Sequence, residues 1–209
     1  MTTFLGLVAS GLGVGAIYGL VALGFVLIYK SSKVINFAVG EFLAFGAYFC
    51  WALLVQAHFP TWLGVILTLA MGAILGLVVE HLALRPMIGQ PLLAVIMATL
   101  AISILLSGIM TLIWGGPPKA YPHGLIPRGI MEFGDIVVPT QLVWCFVIGT
   151  IGIAILILFF QRTKSGLFMR ATAEDHQVAQ AAGIGVKGIF ALTWAIAILV
   201  CAVAGILVG

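Results

Sequence analysis

Charge is what this chain has least of. Asp, Glu, Lys and Arg make up 7% of its 209 residues and hydrophobic types 63%, whereas a soluble domain carries about 25% charge. That shortage excludes an aqueous globular fold, because no core of this size hides so much apolar surface. Cysteine is scarce too. Cys50, Cys145 and Cys201 stand far apart inside apolar runs, which argues against a disulfide framework and reads as small buried hydrophobes. His58, His81, His123 and His176 show no metal-ligand spacing. The strand-by-strand alternation of a membrane barrel is missing, as are G-x-x-x-x-G-K-[ST], H-E-x-x-H and G-x-S-x-G. No covalent chemistry and no cofactor is expected, and any ATP-driven work needs another subunit. The opening MTTFLGLVASGLGVG has no basic stretch and runs straight into a long span, so it is not read as a cleaved leader.

What is there is a series of apolar runs of the length that crosses a hydrocarbon core of about 30 Å. Their backbones must be satisfied internally, so the spans are helices. The expected fold is all-α, a polytopic bundle with spans near 4–29, 34–57, 61–84, 91–114 and 140–160 and a sixth from about 189. The chain reads as a single transmembrane domain over 1–209. It stops while still apolar, so further helices are expected beyond Gly209. Placing the polar loop 161–188 in the cytosol puts Lys30, Lys33, Arg85, Arg162, Lys164, Arg170 and Lys187 inside. Only Lys119 and Arg128 fall outside, the asymmetry of the positive-inside rule. The net charge of +3 therefore reflects topology and membrane lipid, not nucleic acid. The span 34–57 carries Asn36, Gly40 and Glu41 early and is a candidate for an interrupted helix.

The loop 161–188 holds four of the nine basic residues and two of the six acids. Thr172-Ala173-Glu174-Asp175 has the form of a capping box, with the acids where the helix dipole favours them. Gly183 supplies a stop. The expectation is a helix of about ten residues, roughly 15 Å long, offering Ala173, Val178, Ala179, Ala181 and Ala182 to a protein partner. Charge introduced at Ala179 or Ala182 is then expected to break that contact.

Within the spans, Glu41 is the acid set deepest, at a cost of about 3 kcal/mol on insertion scales. It lines a pathway or gate, or pairs with Lys30 or Lys33 at the interface. Thr99, Ser103, Ser107 and Thr111 form a hydroxyl stripe, which either wets a passage or bonds within and between helices. Gly11, Gly15 and Gly19, and Gly72 with Gly76, have the small-xxx-small spacing of close helix packing. Glu80, His81 and Arg85 read as a local ion pair. The outer segment 115–139 is long enough to carry structure of its own, as surface cover or a docking site.

Two stretches together resemble a known family. Tyr18 to Tyr48 contains V-I-N-F-A-V-G-E at Val34 to Glu41 and is similar to the N-terminal signature of branched-chain amino acid ABC-transporter permeases. Thr163, Gly166, Arg170, Ala171, Ala173, Asp175, Ala179, Gly183 and Ile184 resemble that family's cytoplasmic loop. The matches cover about a quarter of the chain. Val39 departs from the pattern, since the family often has His there. The resemblance implies a permease subunit in the bacterial inner membrane. It also implies two cytosolic ABC ATPase subunits that bind and hydrolyse ATP, a second homologous permease and a periplasmic solute-binding protein. Thr172, Glu174, Asp175, Val178, Ala179, Ala182 and Gly183 would form the coupling helix that meets an ATPase. Asn36, Glu41, Thr99, Ser103 and Ser107 are the candidates for a pathway or gate. Urea and short-amide permeases share the pattern. A channel or ion-coupled carrier working alone is the rival from another class, and it would want more buried charge.

Overall fold

Among the described residues of the computed structural model, six helices are long and apolar enough to span a membrane: Phe4–Ser32, Val39–Gln56, Thr61–Met87, Leu92–Trp114, Thr140–Arg162 and Val186–Val208. The structure describes residues 2–33, 35–87, 90–116, 119, 121, 129–133 and 136–209. His123, Arg128, Val34 and about half of the outer segment 115–139 lie outside these. The helices in chain order are α1 (Thr2–Ser32), α2 (Val39–Trp51), α3 (Thr61–Val79), α4 (Leu92–Trp114), α5 (Thr140–Arg162), α6 (Lys164–Glu174), α7 (His176–Ala181) and α8 (Val186–Val208). One π turn, Ala52–Gln56, extends α2, and a second, Glu80–Leu84, extends α3. The fold is an all-α polytopic bundle.

The helix at its centre is α8, which packs against α1, α2 and α3. Trp194, Ala197, Ile198, Cys201 and Ala204 are sealed in the core. Contacts this close require small residues, since lipid offers no hydrophobic drive between helices. A Cβ at Gly46 would lie 2.5 Å from the Ala202 Cα. One at Gly76 would lie 2.7 Å from the Trp194 carbonyl oxygen. The Gly72–Gly76 pair therefore packs as its spacing suggests. The Gly11–Gly15 pair does not: both are exposed, and a Cβ on either meets nothing within 4 Å. The tight contact of α1 runs one register over, through Gly13 against Leu142 and Ala16 against Gly149 of α5.

The second span begins at Val39, not at 34. Lys33 leaves α1 in the left-handed region (φ 57°). Asn36 then turns the chain, its Oδ1 accepting from the Ala38 N–H at 3.0 Å, and α2 starts after Ala38. In the outer segment, β1 (Ile130–Phe133) and β2 (Ile136–Pro139) pair antiparallel, with Met131 opposite Val138. Tyr121 donates to the Ala47 carbonyl at 3.0 Å and so ties this segment to α2. Burial, and behind it the neighbouring Cys50 thiol, holds the Tyr121 hydroxyl well above its ordinary pKa. The three cysteines are free and buried.

Candidate functional site

The polar loop folds into two helices where the sequence suggested one. Thr163 caps the first: its Oγ1 accepts from the Gly166 N–H at 3.0 Å and donates to the Phe159 carbonyl at 2.7 Å. Gly166 sits where a Cβ would lie 2.5 Å from the Phe160 carbonyl oxygen, so α6 folds back tightly on the end of α5. Met169, 1% exposed, anchors α6 to the bundle.

The capping box is a correction. Thr172 is the wrong residue for the cap, because it lies inside α6 with its Oγ1 buried and unpartnered. Glu174 ends α6 and does not open the next helix. Asp175 does the capping. It is extended (φ −148°, ψ 120°), and its Oδ1 accepts from Gln177 N at 2.7 Å and Val178 N at 3.1 Å. A carboxylate on free N–H groups is also where the dipole favours negative charge. The helix it opens is short, His176–Ala181. Gly183, at φ +82°, closes it as the sequence indicates. Ile184 N donates to Ala179 O and Gly183 N to Gln180 O, both at 3.0 Å, a Schellman-type stop.

This geometry also redistributes the alanines. Ala173 and Ala179 are buried, 7% and 3% exposed. Ala179 packs with Ile184, Val186 and Phe190, which seats α7 on the start of α8. The face turned outward carries Gln177, Val178, Gln180, Ala181 and Ala182. Ala179 is therefore not a surface probe. Replacing Asp175 by Ala should loosen α7 by about 1 kcal/mol, the usual worth of an N-cap. Hydrogen exchange of the solubilised protein is expected to speed up at the Gln177–Ala182 amides, and Asp175→Asn should largely preserve protection. Unchanged exchange in Asp175→Ala would rule out the carboxylate as the cap.

The membrane candidates separate into two groups. Glu41, in the first turn of α2, shares an open groove of about 590 Å³ with Ser103, Ser107 and Thr111 of α4. Among the described residues Glu41 forms no ion pair with Lys30 or Lys33. Asn36 and Thr99 are not in that groove. Both are buried, and Thr99 Oγ1 donates to Ile35 O at 3.2 Å and Ile96 O at 2.9 Å, pinning the turn before α2. Thr111 bonds back to the Ser107 carbonyl at 2.9 Å, so part of the stripe serves its own helix.

A cavity of about 240 Å³ at the inner end of the bundle was not expected from the sequence. Glu80, Arg85 and Lys33 line it with Val95, Trp194 and His176. Read from the sequence, Glu80 pairs with its neighbours. In the structure Arg85 Nη1 instead donates to His81 Nδ1 at 2.9 Å, and Glu80 Oε1 is buried without a hydrogen-bond partner. The signal that could have found it is the five-residue spacing from Glu80 to Arg85, a π-turn interval. Such turns recur at functional sites. No cluster of three or more His, Cys, Asp or Glu side chains suited to a metal occurs among the described residues.

Six apolar spans with a capped polar loop between the last two define a multi-pass helical membrane protein. Residues 7–209 match the family described as branched-chain amino acid transport system / permease component, and the chain belongs to it. The high-affinity branched-chain amino acid transport system permease protein BraD of Pseudomonas aeruginosa is 31% identical, over 96% of this chain and 69% of its own length. The corresponding LivH protein of Escherichia coli K12 is 28% identical, over 99% of this chain and 70% of its own. A probable LivH of Methanocaldococcus jannaschii is 31% identical, over 89% of this chain and 60% of its own length. No solved structure matches the chain.

Proposed function

We propose that the chain is the membrane-spanning permease subunit of an ATP-driven importer for branched-chain or related amino acids in the bacterial inner membrane. The family match over residues 7–209 carries this reading, and the relatives' names favour amino acids over urea or amides as solute. The permease does no covalent chemistry and holds no cofactor. Two cytosolic ATPase subunits hydrolyse ATP, a second permease completes the membrane path, and a periplasmic binding protein selects the solute. On this reading α7 seats in an ATPase groove by its outward face, with Asp175 and Gly183 fixing its ends. The groove of Glu41, Ser103 and Ser107, lined by α2 and α4, is closed by the second permease, so that polar solute passes between the two. Asn36 and Thr99 hold the start of α2 beside it.

A solitary ion-coupled carrier would want several buried charges. Among the described residues Glu80 is the one buried charged side chain. The test is purification of the full-length protein from its native membrane, followed by reconstitution with what accompanies it. Recovery of ATPases bearing a P-loop and of a second permease, with ATP-dependent uptake of labelled L-leucine, is the expected result. Recovery of the chain alone or as a simple homo-oligomer, with uptake driven by an ion gradient, would overturn it.

A further inference from the structure

Glu80 is 2% exposed at the inner end of the third span, and its Oε1 accepts no hydrogen bond. Leaving a carboxylate oxygen buried and unmatched is costly, and ionisable groups kept in a span face a partner, water or a ligand. Here the cavity supplies that space. At about 240 Å³ it far exceeds the ~10–15 Å³ that one water requires. Its wall has three chemistries side by side: the Glu80 carboxylate, the cationic Arg85 and Lys33, and an apolar side made by Val95, Phe190 and Trp194. Charges of both signs line one pocket: Arg85 bonds to His81 and attracts Glu80 through space, and the Glu80 Oε1 keeps no hydrogen-bond partner. A ligand that completes this wall has an ammonium, a carboxylate and an apolar tail.

We propose that this cavity is a low-affinity release site for the zwitterion of an amino acid with an apolar side chain. Glu80 receives the ammonium group, Arg85 and Lys33 face the carboxylate, and Phe190 and Trp194 take the side chain. Charge-assisted hydrogen bonds to both ends orient the solute. The site is tied to the coupling element. His176, the first residue of α7, lines the same cavity, donates from Nδ1 to the Thr172 carbonyl and meets the Phe190 ring edge-on at 5.3 Å. Displacing α7 moves one wall of the cavity, so a push from the ATPase side alters the affinity of the site. This inference rests on the import reading.

The test uses the intact transporter in nanodiscs, free of binding protein, with binding of labelled L-leucine measured by scintillation proximity. The wild-type complex is expected to bind in the millimolar range. Glu80→Gln and Arg85→Gln are each expected to weaken binding at least about tenfold, the scale of one lost charged contact. In the wild type, 4-methylpentanoate, which lacks the ammonium, and isopentylamine, which lacks the carboxylate, should each compete at least tenfold less well than leucine. The competition needs no variant, so it decides the matter even where Glu80→Gln fails to assemble. Equal competition by isopentylamine would mean a cation site only and would overturn the proposal. Variants that bind like wild type would overturn it too, as would a complex that imports leucine yet binds none at this face, with the import reading intact. A complex that assembles with its ATPases and imports no amino acid would overturn both.

Discussion

Glutamate at Val178 is expected to cut solute uptake at least about tenfold while leaving the amount of protein in the membrane unchanged. Val178 is 66% exposed at the middle of α7 and loses no core contact on replacement. Exposed substitutions of this kind usually stay within about 0.5 kcal/mol of wild type. A seated partner sees something different. Val178 is the single large apolar side chain on the outward face, flanked by Gln177, Gln180, Ala181 and Ala182. Burying it against a groove contributes on the order of 1.5–3 kcal/mol. A carboxylate in its place is desolvated without a counter-charge, a penalty of about 2–5 kcal/mol for an unpaired interfacial charge. Either sum removes most of the complex at cellular concentrations. Uptake, ATPase co-purification and membrane abundance should be measured together in Val178→Glu, Ala182→Glu and Val178→Leu. The two glutamates are expected to lose ATPase and uptake in step, and the leucine to keep both. Ala179→Glu is the contrasting case: at 3% exposure it should lower abundance itself, by breaking the seat of α7 on α8. Wild-type uptake in Val178→Glu would place the ATPase contact elsewhere on the loop.

The contrast between Val178 and Ala179 marks where sequence reasoning stops. Hydropathy alone locates the spans, because an apolar run of membrane length between polar breaks has one stable solution in lipid. Their packing does not follow from it. Helices apolar on every side carry no amphipathic stripe to say which face is inward. Hence Gly11 and Gly15 have the spacing of a packing motif yet face outward, and Gly13 makes the contact. The same uniformity concealed the central role of α8. In the loop, the stop at Gly183 was legible because a positive φ has few candidates. The start was not, since both Thr172 and Asp175 are good capping types. Asp175 wins because it is the residue that leaves the helix, extended, with two free N–H groups within reach. Thr172 is held inside the first helix, which Thr163 begins. Around Glu80 the local charge cluster was legible but its pairing was not: in the π turn Arg85 bonds to His81, and Glu80 feels both only through space.

Valine at Gly76 is expected to have the larger structural effect, costing about 3 kcal/mol or more of stability. Its first added carbon would lie 2.7 Å from the Trp194 carbonyl oxygen and 2.9 Å from the Ala195 Cα. Both are backbone atoms of α8, so no rotamer change relieves the clash, and the helices must separate. Overpacking costs typically 1–3 kcal/mol where side chains can yield and more where they cannot. The gain in helix propensity over glycine, below about 1 kcal/mol for a β-branched residue, does not offset it. Separation at this point travels toward the inner face, because the same turn of α8 carries Trp194 and Phe190 into the wall shared by Glu80 and His176. Thermal aggregation and size-exclusion yield in detergent should fall sharply for Gly76→Val. Gly15→Val, where a Cβ meets nothing within 4 Å, should behave as wild type. A wild-type melting point in Gly76→Val would mean that α3 and α8 do not lie this close. The link between α7 and the membrane interior would then have to run by another route, since α8 could no longer hold the coupling helix and the inner cavity in one rigid frame.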